Sequence, residues 1–427
     1  MKISTLSIGD EVIFGEITDT NAAHIASRIY DIGFKVRRHL CVGDIEPDIM
    51  EAVETLAIHN DFVIVSGGLG PTVDDLTARA VAKAVGRRLI LNEEAHRHLK
   101  ERYRQMGREL LPGTEKQALL PAKIILIPNP VGTACGFIVP HKGCFLLFLP
   151  GVPVEMKRML DETVIPFILS RAKRNTFIET RTMRILGLSE TYIESRIKDL
   201  ARPREGLDIA YCVSFPEVEV KLRGEGDDEA RVKKILDATA EKVRERLAGH
   251  VVAEGGETID TVVAELFRKK GVTVSLAESC TGGLIAKRIT DLAGSSAYFL
   301  EGAVTYGNEA KTRRLQVPAE LLEREGAVSA AVAMAMARGM RAASGSDIAL
   351  AVTGIAGPDG GTEEKPVGTV FLALASRSDS TAKKYTFTGS RDRIRTVTSF
   401  TAMDWLRRHL LSLPDAAATR ETGEETD

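Results

Sequence analysis

Apolar runs and amphipathic stretches alternate in the N-terminal part of the chain. Short apolar runs, which are typical of strands, occur in KISTLSIGD, DFVIVSGG and GCFLLFLPG, whereas NAAHIASRIYDIG has its apolar residues at helical spacing. Strands that alternate with helices favour a sheet covered by helices on both faces. The pattern therefore predicts an α/β domain with a doubly wound parallel sheet over residues 1–172.

A different order of elements follows in the middle of the chain. The segments are strand-like TFIETRTMRILG, helix-like SETYIESRIKDLAR, strand-like DIAYCVSF and EVEVKLRGEG, helix-like DDEARVKKILDATAEKVRERLAG and strand-like HVVAEG. This is the βαββαβ order of a split βαβ unit. We predict a small α+β module over residues 176–254.

The alternation of helices and strands then returns. Helix-like TIDTVVAELFRKKG precedes strand-like VTVSLAES, and further strand-like segments, among them DIALAVTG and VGTVFLALAS, lead to a closing helix through TSFTAMDWLRRHLL. We predict a second doubly wound α/β domain over residues 257–413. The polar segment PDAAATRETGEETD predicts a disordered tail over residues 414–427.

Length and composition narrow the class of protein. A chain of 427 residues exceeds what one core usually organises, in agreement with several domains. Because 57 Lys and Arg face 59 Asp and Glu, no positive field gathers phosphate backbones, and we expect neither nucleic acid nor membrane as a partner. The five scattered cysteines and the lack of a signal-like or membrane-spanning run predict a cytoplasmic protein.

A glycine-rich loop follows the strand DFVIVS in the N-terminal domain. It leads into the helix LTARAVAKAVG, whose first backbone N–H groups can hold a phosphate. The loop lacks the Gly-Lys-Ser/Thr of a P-loop and the third glycine of a dinucleotide fingerprint, so it predicts neither an ATPase nor a dehydrogenase. Its candidate ligand-binding residues are Gly67, Gly68, Gly70 and Thr72.

Two acidic residues stand next to each other in this loop. Asp74 and Asp75 can hold Mg²⁺ against a phosphate, because hard cations prefer carboxylate oxygens. They can equally cap the helix that follows. The sequence leaves both interpretations open, and the hypothesis of a divalent metal gives Asp75 the leading role.

Two further loops follow strand-like segments of the same domain. NPVGTACG over residues 129–136 and LPGVPVEM over residues 149–156 face one cleft if they lie at the carboxyl ends of the strands. Each is also compatible with an ordinary turn. If they line the cleft, the candidate ligand-binding residues are Gly132, Thr133 and Gly151.

The C-terminal domain offers a candidate nucleophile. The strand VTVSLA ends in ESCTGG, and Ser279 of that segment lies beside the start of the helix LIAKRITDLAG. Free N–H groups at a helix start can stabilise an oxyanion formed on an attacked carbonyl. Ser and Thr in such a position are also common helix caps. Thr281, Gly282 and Gly283 are the neighbouring candidates for substrate binding.

The base that activates Ser279 follows partly by elimination. His409 is the only histidine of the predicted C-terminal domain, and its place in the last helical turn is better explained by the helix dipole than by a triad. Tyr306 and Lys311 remain, and a partly desolvated lysine can accept a proton from serine. Cys280 is an alternative nucleophile that we interpret as a small buried side chain.

Two later segments provide candidates for binding the substrate. The loop TGIAGPDGGT after the strand DIALAV is rich enough in glycine to approach a ribose phosphate, which makes Thr353, Gly354 and Gly357 candidates. The segment GSRDR opens the closing helix, and an arginine there can pair with the same phosphate or with an amide. For any single arginine, a solvated surface position is the alternative.

Taken together, the motifs resemble the competence/damage-inducible protein CinA family. The N-terminal GDExxxGxxxDTN, GGLGPTxDDLT, NPxGTAxGF and LPGVPxEM resemble its molybdopterin-binding-like domain, and AESCTGG, GAVTYGNEAK, AVTGIAGPDGG, KPVGTV and GSRDRIR resemble its C-terminal domain. The resemblance implies a nicotinamide-nucleotide amidase that converts nicotinamide mononucleotide to nicotinic acid mononucleotide and ammonia without a cofactor. It implies Ser279 as nucleophile, Tyr306 and Lys311 as activating partners, and Arg393 in support.

The resemblance leaves other functions open. In some members the N-terminal domain cleaves ADP-ribose with a divalent metal, which makes an ADP-ribose pyrophosphatase the second hypothesis, alone or beside the amidase. A nucleotide-binding, competence-related protein without catalysis is the third. The βαββαβ module resembles a type II KH fold but has no GxxG loop, so we interpret it as a spacer or dimerisation element. The resemblance also implies a homodimer.

Overall fold

The computed structural model describes residues 1–172 and 177–415. Contacts divide the chain into two compact units. The first contains Met1–Glu179 and Glu225–Lys233, and the second contains Thr180–Gly224 and the chain from Lys234 onward. The predicted disordered tail lies outside the described residues from position 416 onward.

The described strands form four sheets: three larger ones, which follow one another along the chain, and one of two strands. In chain order they are β1 Ile3–Ile8, β2 Val36–Val42, β3 Phe62–Ser66, β4 Leu89–Leu91, β5 Leu119–Pro121, β6 Ile125–Ile127, β7 Gly136–His141, β8 Cys144–Leu149, β9 Phe177–Leu186, β10 Leu207–Ser214, β11 Glu217–Gly226, β12 Val251–Glu254, β13 Val274–Glu278, β14 Phe299–Val304, β15 Ile348–Gly354, β16 Thr369–Ala375 and β17 Ser380–Thr386.

The helices separate these strands. They are α1 Asp10–Ile13, α2 Thr20–Asp31, α3 Glu46–His59, α4 Thr77–Ala84, α5 Glu93–Gln105, α6 Pro153–Met159, α7 Ile165–Arg171, α8 Glu190–Ile197, α9 Glu229–Arg246, α10 Ile259–Lys270, α11 Leu284–Thr290, α12 Asn308–Leu315, α13 Ala319–Glu325, α14 Ala330–Ser344 and α15 Arg391–Ser412. None of these described helices is long and apolar enough to cross a bilayer.

The first unit is built on a six-stranded sheet in the order β2-β1-β3-β8-β7-β6. The predicted α/β class is confirmed, but the sheet is mixed: β2, β1, β3 and β8 are parallel, whereas β7 and β6 are antiparallel. The two residues between β7 and β8, Lys142 and Gly143, both have positive φ. A two-residue turn of this kind joins antiparallel strands, which is why the parallel run ends there.

Burial explains why this sheet is covered on both faces. Every residue of β1 and of β3 is buried, as expected for strands between two helical layers. One core contains apolar residues of α3 and α4, and a second core on the other face contains those of α2 and α6. The loops at the carboxyl ends of β1, β3 and β8 therefore emerge at one edge of the sheet.

The middle module has the predicted order β9-α8-β10-β11-α9-β12, with its sheet arranged β10-β11-β9-β12. Strands β10 and β11 form a hairpin that turns at Phe215 and Pro216. Leu186 and Val252 of the module are buried in the same core as Ile259 of the C-terminal domain. Within the second unit, the module and that domain thus share apolar packing.

The C-terminal domain has a five-stranded sheet in the order β14-β13-β15-β16-β17. Strands β14, β13 and β15 are parallel, and β16 and β17 extend the sheet as antiparallel strands, so this sheet is also mixed rather than wholly parallel. Helices α10, α11 and α15 pack on one face and α14 on the other. Glu278 at the end of β13 pairs with Val304 of β14 and with Val352 of β15, so the loops that follow these strands meet at one edge.

Candidate functional site

The turn from β13 into α11 is held by a buried carboxylate. Glu278 is 1% exposed, and its side chain accepts hydrogen bonds from the amides of Gly283 (2.9 Å), Ile285 (3.2 Å) and Ala286 (2.8 Å). Gly282 and Gly283 have φ of +62° and +90°, a backbone conformation that favours glycine at both positions. The capping role that the sequence leaves open for serine is therefore filled by Glu278.

This cap changes the expected oxyanion site. The amides of Gly283, Ile285 and Ala286 already donate to Glu278, so they are not available to a substrate oxyanion. The prediction that the start of α11 supplies those donors is not supported by this arrangement. The carboxylate at a helix start instead stabilises the helix through the same partial positive charge.

Ser279 faces a buried lysine. The Nζ atom of Lys311 lies 3.3 Å from Ser279 Oγ, 2.9 Å from the carbonyl oxygen of Thr305 and 3.0 Å from that of Tyr306. Lys311 is 1% exposed and Ser279 is 8% exposed. Lys311 lies in the first turn of α12, directly after the loop that follows β14, so the meeting of two strand ends brings serine and amine together.

The surroundings of Lys311 favour its neutral form. Burial lowers the pKa of its amine from the usual 10.5. A neutral amine has two N–H donors and one lone pair, and the carbonyls of Thr305 and Tyr306 accept the two donors. The lone pair is then left for the hydroxyl proton of Ser279. In its neutral form, this amine is close enough to accept a proton from serine.

Tyr306 contributes its backbone to this site and its phenol to another contact. Its side chain is 58% exposed, and the phenol oxygen accepts a hydrogen bond from Arg391 at 2.8 Å. Arg391 also donates to the carbonyl of Gly357 at 2.8 Å. The tyrosine that the sequence suggests as an activating partner therefore reaches Lys311 through its carbonyl oxygen, while its ring links two loops at the edge of the site.

The three arginines in the first turns of the closing helix α15 contact different parts of the second unit. The guanidinium of Arg393, the predicted supporting residue, lies over the ring of Phe215 at 3.8 Å from the centroid. Arg395 instead donates to the carbonyl of Thr281 in the Ser279 turn at 2.7 Å, and Arg391 contacts Tyr306 and Gly357 in the loops beside that turn. Arg391 belongs to the GSRDR segment that the sequence makes a candidate, whereas Arg395 lies beyond it. Positions four apart share a helix face, so this spacing was the available signal for Arg395.

Neither Cys280 nor His409 is a hydrogen-bond partner of the Lys311 amine among the described residues. Cys280 is buried, and burial raises the pKa of its thiol to about 12, which leaves little thiolate at neutral pH. His409 lies in the last turn of α15, and burial lowers its pKa from 6.5. At pH 7 the imidazole is therefore mainly neutral. Because a neutral ring gains little from the helix dipole, the dipole does not explain the position of His409 as the sequence suggests.

The glycine-rich loop after β15 packs closely against the same corner. A Cβ atom on Gly354 would lie 3.1 Å from the sulfur of Cys280, and Gly357 has a φ of +77°. The hydroxyl of Thr353 donates to the carbonyl of Ala327 at 2.8 Å, so this side chain supports the loop from below rather than facing a ligand. Gly354 and Gly357 are brought to the site, and Thr353 is buried behind it.

In the first unit, the three predicted loops meet around a cavity of about 500 Å³. Gly67 requires its φ of +115°, and a Cβ there would lie 2.0 Å from the carbonyl oxygen of Ile8. Gly132 lies behind the cavity wall, where a Cβ would collide with the Glu155 carboxyl group. The predicted residues that line the cavity are Gly67, Gly68, Gly70, Thr72, Asp74, Asp75, Thr133 and Gly151.

Asp75 is engaged by its own loop. Its carboxylate accepts hydrogen bonds from the amides of Gly70 and Thr72, both at 2.8 Å, and from the Thr72 hydroxyl. Helix α4 begins at Thr77, and no side chain caps it. Asp75 therefore stabilises the loop, which is neither the helix cap nor the free metal ligand that the sequence suggests. Asp74 beside it is exposed to solvent.

The cavity of the first unit is acidic. Its charged lining consists of the carboxylates of Glu11, Asp44, Asp74, Asp75 and Glu155, and no basic side chain is among the described residues that line it. Burial raises the pKa of Asp44, and the carboxylates of Glu11 and Asp74 raise it further. Within residues 1–172 and 177–415, no group of three or more His, Cys, Asp or Glu side chains is arranged to hold a metal. Of the Asp74 and Asp75 pair, the carboxylate of Asp75 is bound by its own loop, and that of Asp74 is exposed.

Family models match three consecutive parts of the chain. The "Probable molybdopterin binding domain" matches residues 4–170, the "Damage-inducible protein CinA KH domain" matches residues 180–253, and the "CinA C-terminal domain" matches residues 256–410. These matches follow the same order as the three groups of elements in the structure.

Relatives of nearly equal length extend the match to the whole chain. A CinA-like protein of Geotalea uraniireducens is 62% identical over 419 residues, which cover 98% of this chain and 100% of that protein. A CinA-like protein of Geobacter sulfurreducens is 60% identical and covers 96% of this chain. Among solved structures, a competence/damage inducible protein of Agrobacterium tumefaciens is 43% identical, with a TM-score of 0.35, and corresponds to 36% of this chain and 96% of its own.

Proposed function

Because the chain belongs to the CinA family, we propose that its C-terminal domain is a serine amidase that hydrolyses nicotinamide mononucleotide to nicotinic acid mononucleotide and ammonia. The observation that carries the proposal is the buried amine of Lys311 at 3.3 Å from the hydroxyl of Ser279. Two carbonyl groups hold the amine in place, and its lowered pKa makes it a competent base.

In the first half of the reaction, Ser279 Oγ attacks the carboxamide carbon while the neutral amine of Lys311 accepts the hydroxyl proton. The ammonium of Lys311 then donates that proton to the leaving nitrogen as the carbon–nitrogen bond breaks. Ammonia departs and an acyl ester remains on Ser279. General base and general acid catalysis by one group contributes about 10² to 10⁴ in rate.

In the second half, a water molecule takes the place of ammonia. Lys311, neutral again, accepts a proton from the water as its oxygen attacks the ester carbon, and returns the proton to Ser279 Oγ as the ester bond breaks. The products are nicotinic acid mononucleotide and the restored serine. These steps use groups of the chain and of the substrate, and require no cofactor.

The arginine face of α15 supports the choice of a nucleotide. Arg391 and Arg395 bring two guanidinium groups to the loops around Ser279, through Gly357 and Thr281. Guanidinium groups pair well with a phosphate, and a phosphate held by them would orient the rest of the nucleotide for attack. The cationic pyridinium ring of nicotinamide mononucleotide withdraws electrons from the carboxamide, which makes its carbon easier to attack.

The test is ammonia release from nicotinamide mononucleotide by the full-length protein in the presence of EDTA. We expect activity in the wild-type protein and none above background in Ser279→Ala. Circular dichroism of the variant checks that it folds. A folded Ser279→Ala that retains wild-type activity would exclude the serine mechanism. An inactive wild-type protein would favour the ADP-ribose pyrophosphatase of the N-terminal domain, or a non-catalytic nucleotide-binding protein, instead.

For the first unit we propose nucleotide binding in the cavity formed by its three loops, with cleavage of ADP-ribose in the presence of a divalent metal as the second candidate activity. The supporting observation is the cavity of about 500 Å³ beneath the backbone of the Gly67–Gly68 turn. AMP formation from ADP-ribose with and without Mg²⁺ tests it, in wild type, Asp74→Asn and Asp75→Asn. If ADP-ribose is cleaved equally in all three proteins, neither aspartate takes part.

A further inference from the structure

The second unit has a cavity between the middle module and the C-terminal domain. Its volume is about 450 Å³. The residues around it come from the module, from strand β17 and the segment after it, and from helix α15. They are Leu186, Gly187, Phe215, Pro216, His250, Lys383, Tyr385, Phe387, Val397, Thr401, Asp404, Trp405 and Arg408. Ser279, Lys311 and their hydrogen-bond partners are not among them.

Strand β17 presents one face to this cavity. Lys383, Tyr385 and Phe387 are at alternate positions and therefore lie on the same side of the chain. The rings of Tyr385 and Phe387 are stacked, with centroids 5.7 Å apart and an angle of 8° between their planes. They form a continuous aromatic surface at the edge strand of the sheet.

Helix α15 forms the opposite wall. Its residues at the cavity recur at helical spacing, with Trp405 one turn after Thr401. Asp404 accepts hydrogen bonds from Arg407 and from Arg408, so two guanidinium groups offset the charge of its carboxylate. The aromatic surface of this wall is the ring of Trp405.

The middle module closes the third side with the hairpin residue Phe215 and with His250. The Nδ1 atom of His250 lies 2.8 Å from the carbonyl oxygen of Leu186, which fixes the ring. Phe215 is held from outside by the guanidinium of Arg393. Both walls and this third side therefore carry aromatic rings.

The cavity has one cationic group, Lys383, that has no carboxylate partner among the described residues. Lys383 Nζ lies 5.0 Å from the centre of the Trp405 ring. No carboxylate among the described residues forms an ion pair with Lys383, and the one carboxylate in the lining, Asp404, is taken up by Arg407 and Arg408. The site therefore combines aromatic faces with an excess of positive charge.

We propose that this cavity binds a planar aromatic anion of mononucleotide size. Aromatic rings on three sides stack against a flat ring, and Lys383 pairs with its negative group. The volume lies in the range of about 300–1,000 Å³ that small-molecule sites occupy. Such a site is separate from the amidase pair, and it does not depend on the proposed amidase activity.

The cavity contains its own reporter. Trp405 is the only tryptophan of the 427 residues and it lines the cavity, so any change in tryptophan fluorescence comes from this ring. The experiment uses the full-length Ser279→Ala protein, in which turnover is prevented, and titrates it with AMP and with nicotinic acid mononucleotide. We expect a saturable change in Trp405 fluorescence with at least one of the two. Ribose 5-phosphate, which lacks the aromatic ring, should cause none.

Matched lysine variants assign the change to the cavity. In the Ser279→Ala protein, the additional change Lys383→Ala should raise the Kd of the bound nucleotide by about tenfold, since it removes a charged partner of that nucleotide. Lys384→Ala removes the next lysine of β17, on the other face of the strand, and should leave the Kd unchanged. Calorimetry gives the Kd independently of the fluorescence amplitude, which Lys383→Ala itself can alter.

Several outcomes would overturn the proposal. If neither nucleotide causes a saturable change, the cavity does not bind them. If the two lysine variants have equal effects on the Kd, the nucleotide binds elsewhere. If ribose 5-phosphate causes an equal response, the site recognises an anion without the aromatic ring. Phe215→Ala gives a second check, because the loss of a stacking ring should also weaken binding. Since ammonia release is not measured, a failure here is distinct from a failure of the amidase proposal.

Discussion

The two α/β domains turn from a central strand into a helix in a similar way, yet they place their charges differently. After β3, the carboxylate of Asp75 is bound by amides of its own loop. After β13, the carboxylate of Glu278 is bound by amides of the glycine turn and of helix α11. Both turns are stabilised by a carboxylate, but only the second has a buried amine beside a hydroxyl.

The difference shows what chemistry each site can support. In the C-terminal domain, Glu278 satisfies the backbone donors, and Ser279 is left to face Lys311. In the first unit, the described lining of the cavity has carboxylates but no basic side chain. One turn thus places a buried amine beside a hydroxyl, whereas the charged side chains at the other site are all acidic.

The largest effect is expected from removing the base. Lys311→Met keeps the length and most of the volume of the side chain but cannot accept a proton, so kcat for ammonia release should fall by about 10² to 10⁴. The matched control is Lys287→Ala, which removes an exposed lysine of α11 that pairs with Asp291. Retention of kcat within a factor of about ten in Lys311→Met would exclude its role as the base.

The pH profile gives the next largest effect. Because the neutral amine of Lys311 is the active form, kcat/KM should rise about tenfold per pH unit up to the lowered pKa of this amine and then level off. The midpoint should therefore lie below 10.5, and a midpoint at or above that value would contradict the assignment.

The same shift has a consequence for stability. Between the lowered pKa and 10.5, the unfolded chain binds the proton that folded Lys311 lacks, so the free energy of unfolding should rise with pH through that window. Urea unfolding at several pH values measures this slope. In Lys311→Met the contribution of this residue should disappear, and an unchanged slope would show that other groups cause it.

A smaller effect compares the two carboxylates directly. Glu278→Gln should lower the free energy of unfolding by about 1–3 kcal/mol, because the neutral amide leaves buried donors poorly satisfied. Asp75→Asn, in a half-buried loop, should cost less than about 1 kcal/mol. Urea unfolding followed by circular dichroism compares the two variants, and an equal or reversed order would show that the turns are not stabilised as described.

The smallest effect is expected at Cys280. Its thiol is buried and has a pKa of about 12, so Cys280→Ala should leave kcat within roughly a factor of two of wild type. A loss comparable to that of Ser279→Ala would instead indicate that the thiol takes part in the reaction. The same ammonia assay measures both.

Much of the C-terminal site could be predicted from the chain itself. The apolar run of β13 and the glycines after it place Ser279 at a strand end, and the elimination of histidines leads to Lys311. The role of Glu278 could not be predicted in this way, because a carboxylate at a strand end is equally compatible with solvent, metal or a helix start. The carboxylate binds the amides of α11 because of the conformation of the turn between β13 and this helix.

The arginines show the same limit at longer range. GSRDRIR offers three arginines, and the resemblance to the family points to Arg393. Only the packing of α15 against the Ser279 turn places Arg391 and Arg395 on that side, while the module's hairpin brings Phe215 to Arg393. Helical spacing groups residues by face, but the partner of each face is decided by tertiary contacts.

By itself, the sequence determined the order of the elements, the α/β class and the strand ends at which the candidate residues occur, because apolar periodicity and glycine turns are local properties. Tertiary structure alone decided that two strand ends bring Ser279 and Lys311 within 3.3 Å, that Asp75 and Glu278 are bound by backbone amides, and that Trp405 faces a cavity. These features depend on side chains far apart in the chain, whose meeting is set by packing.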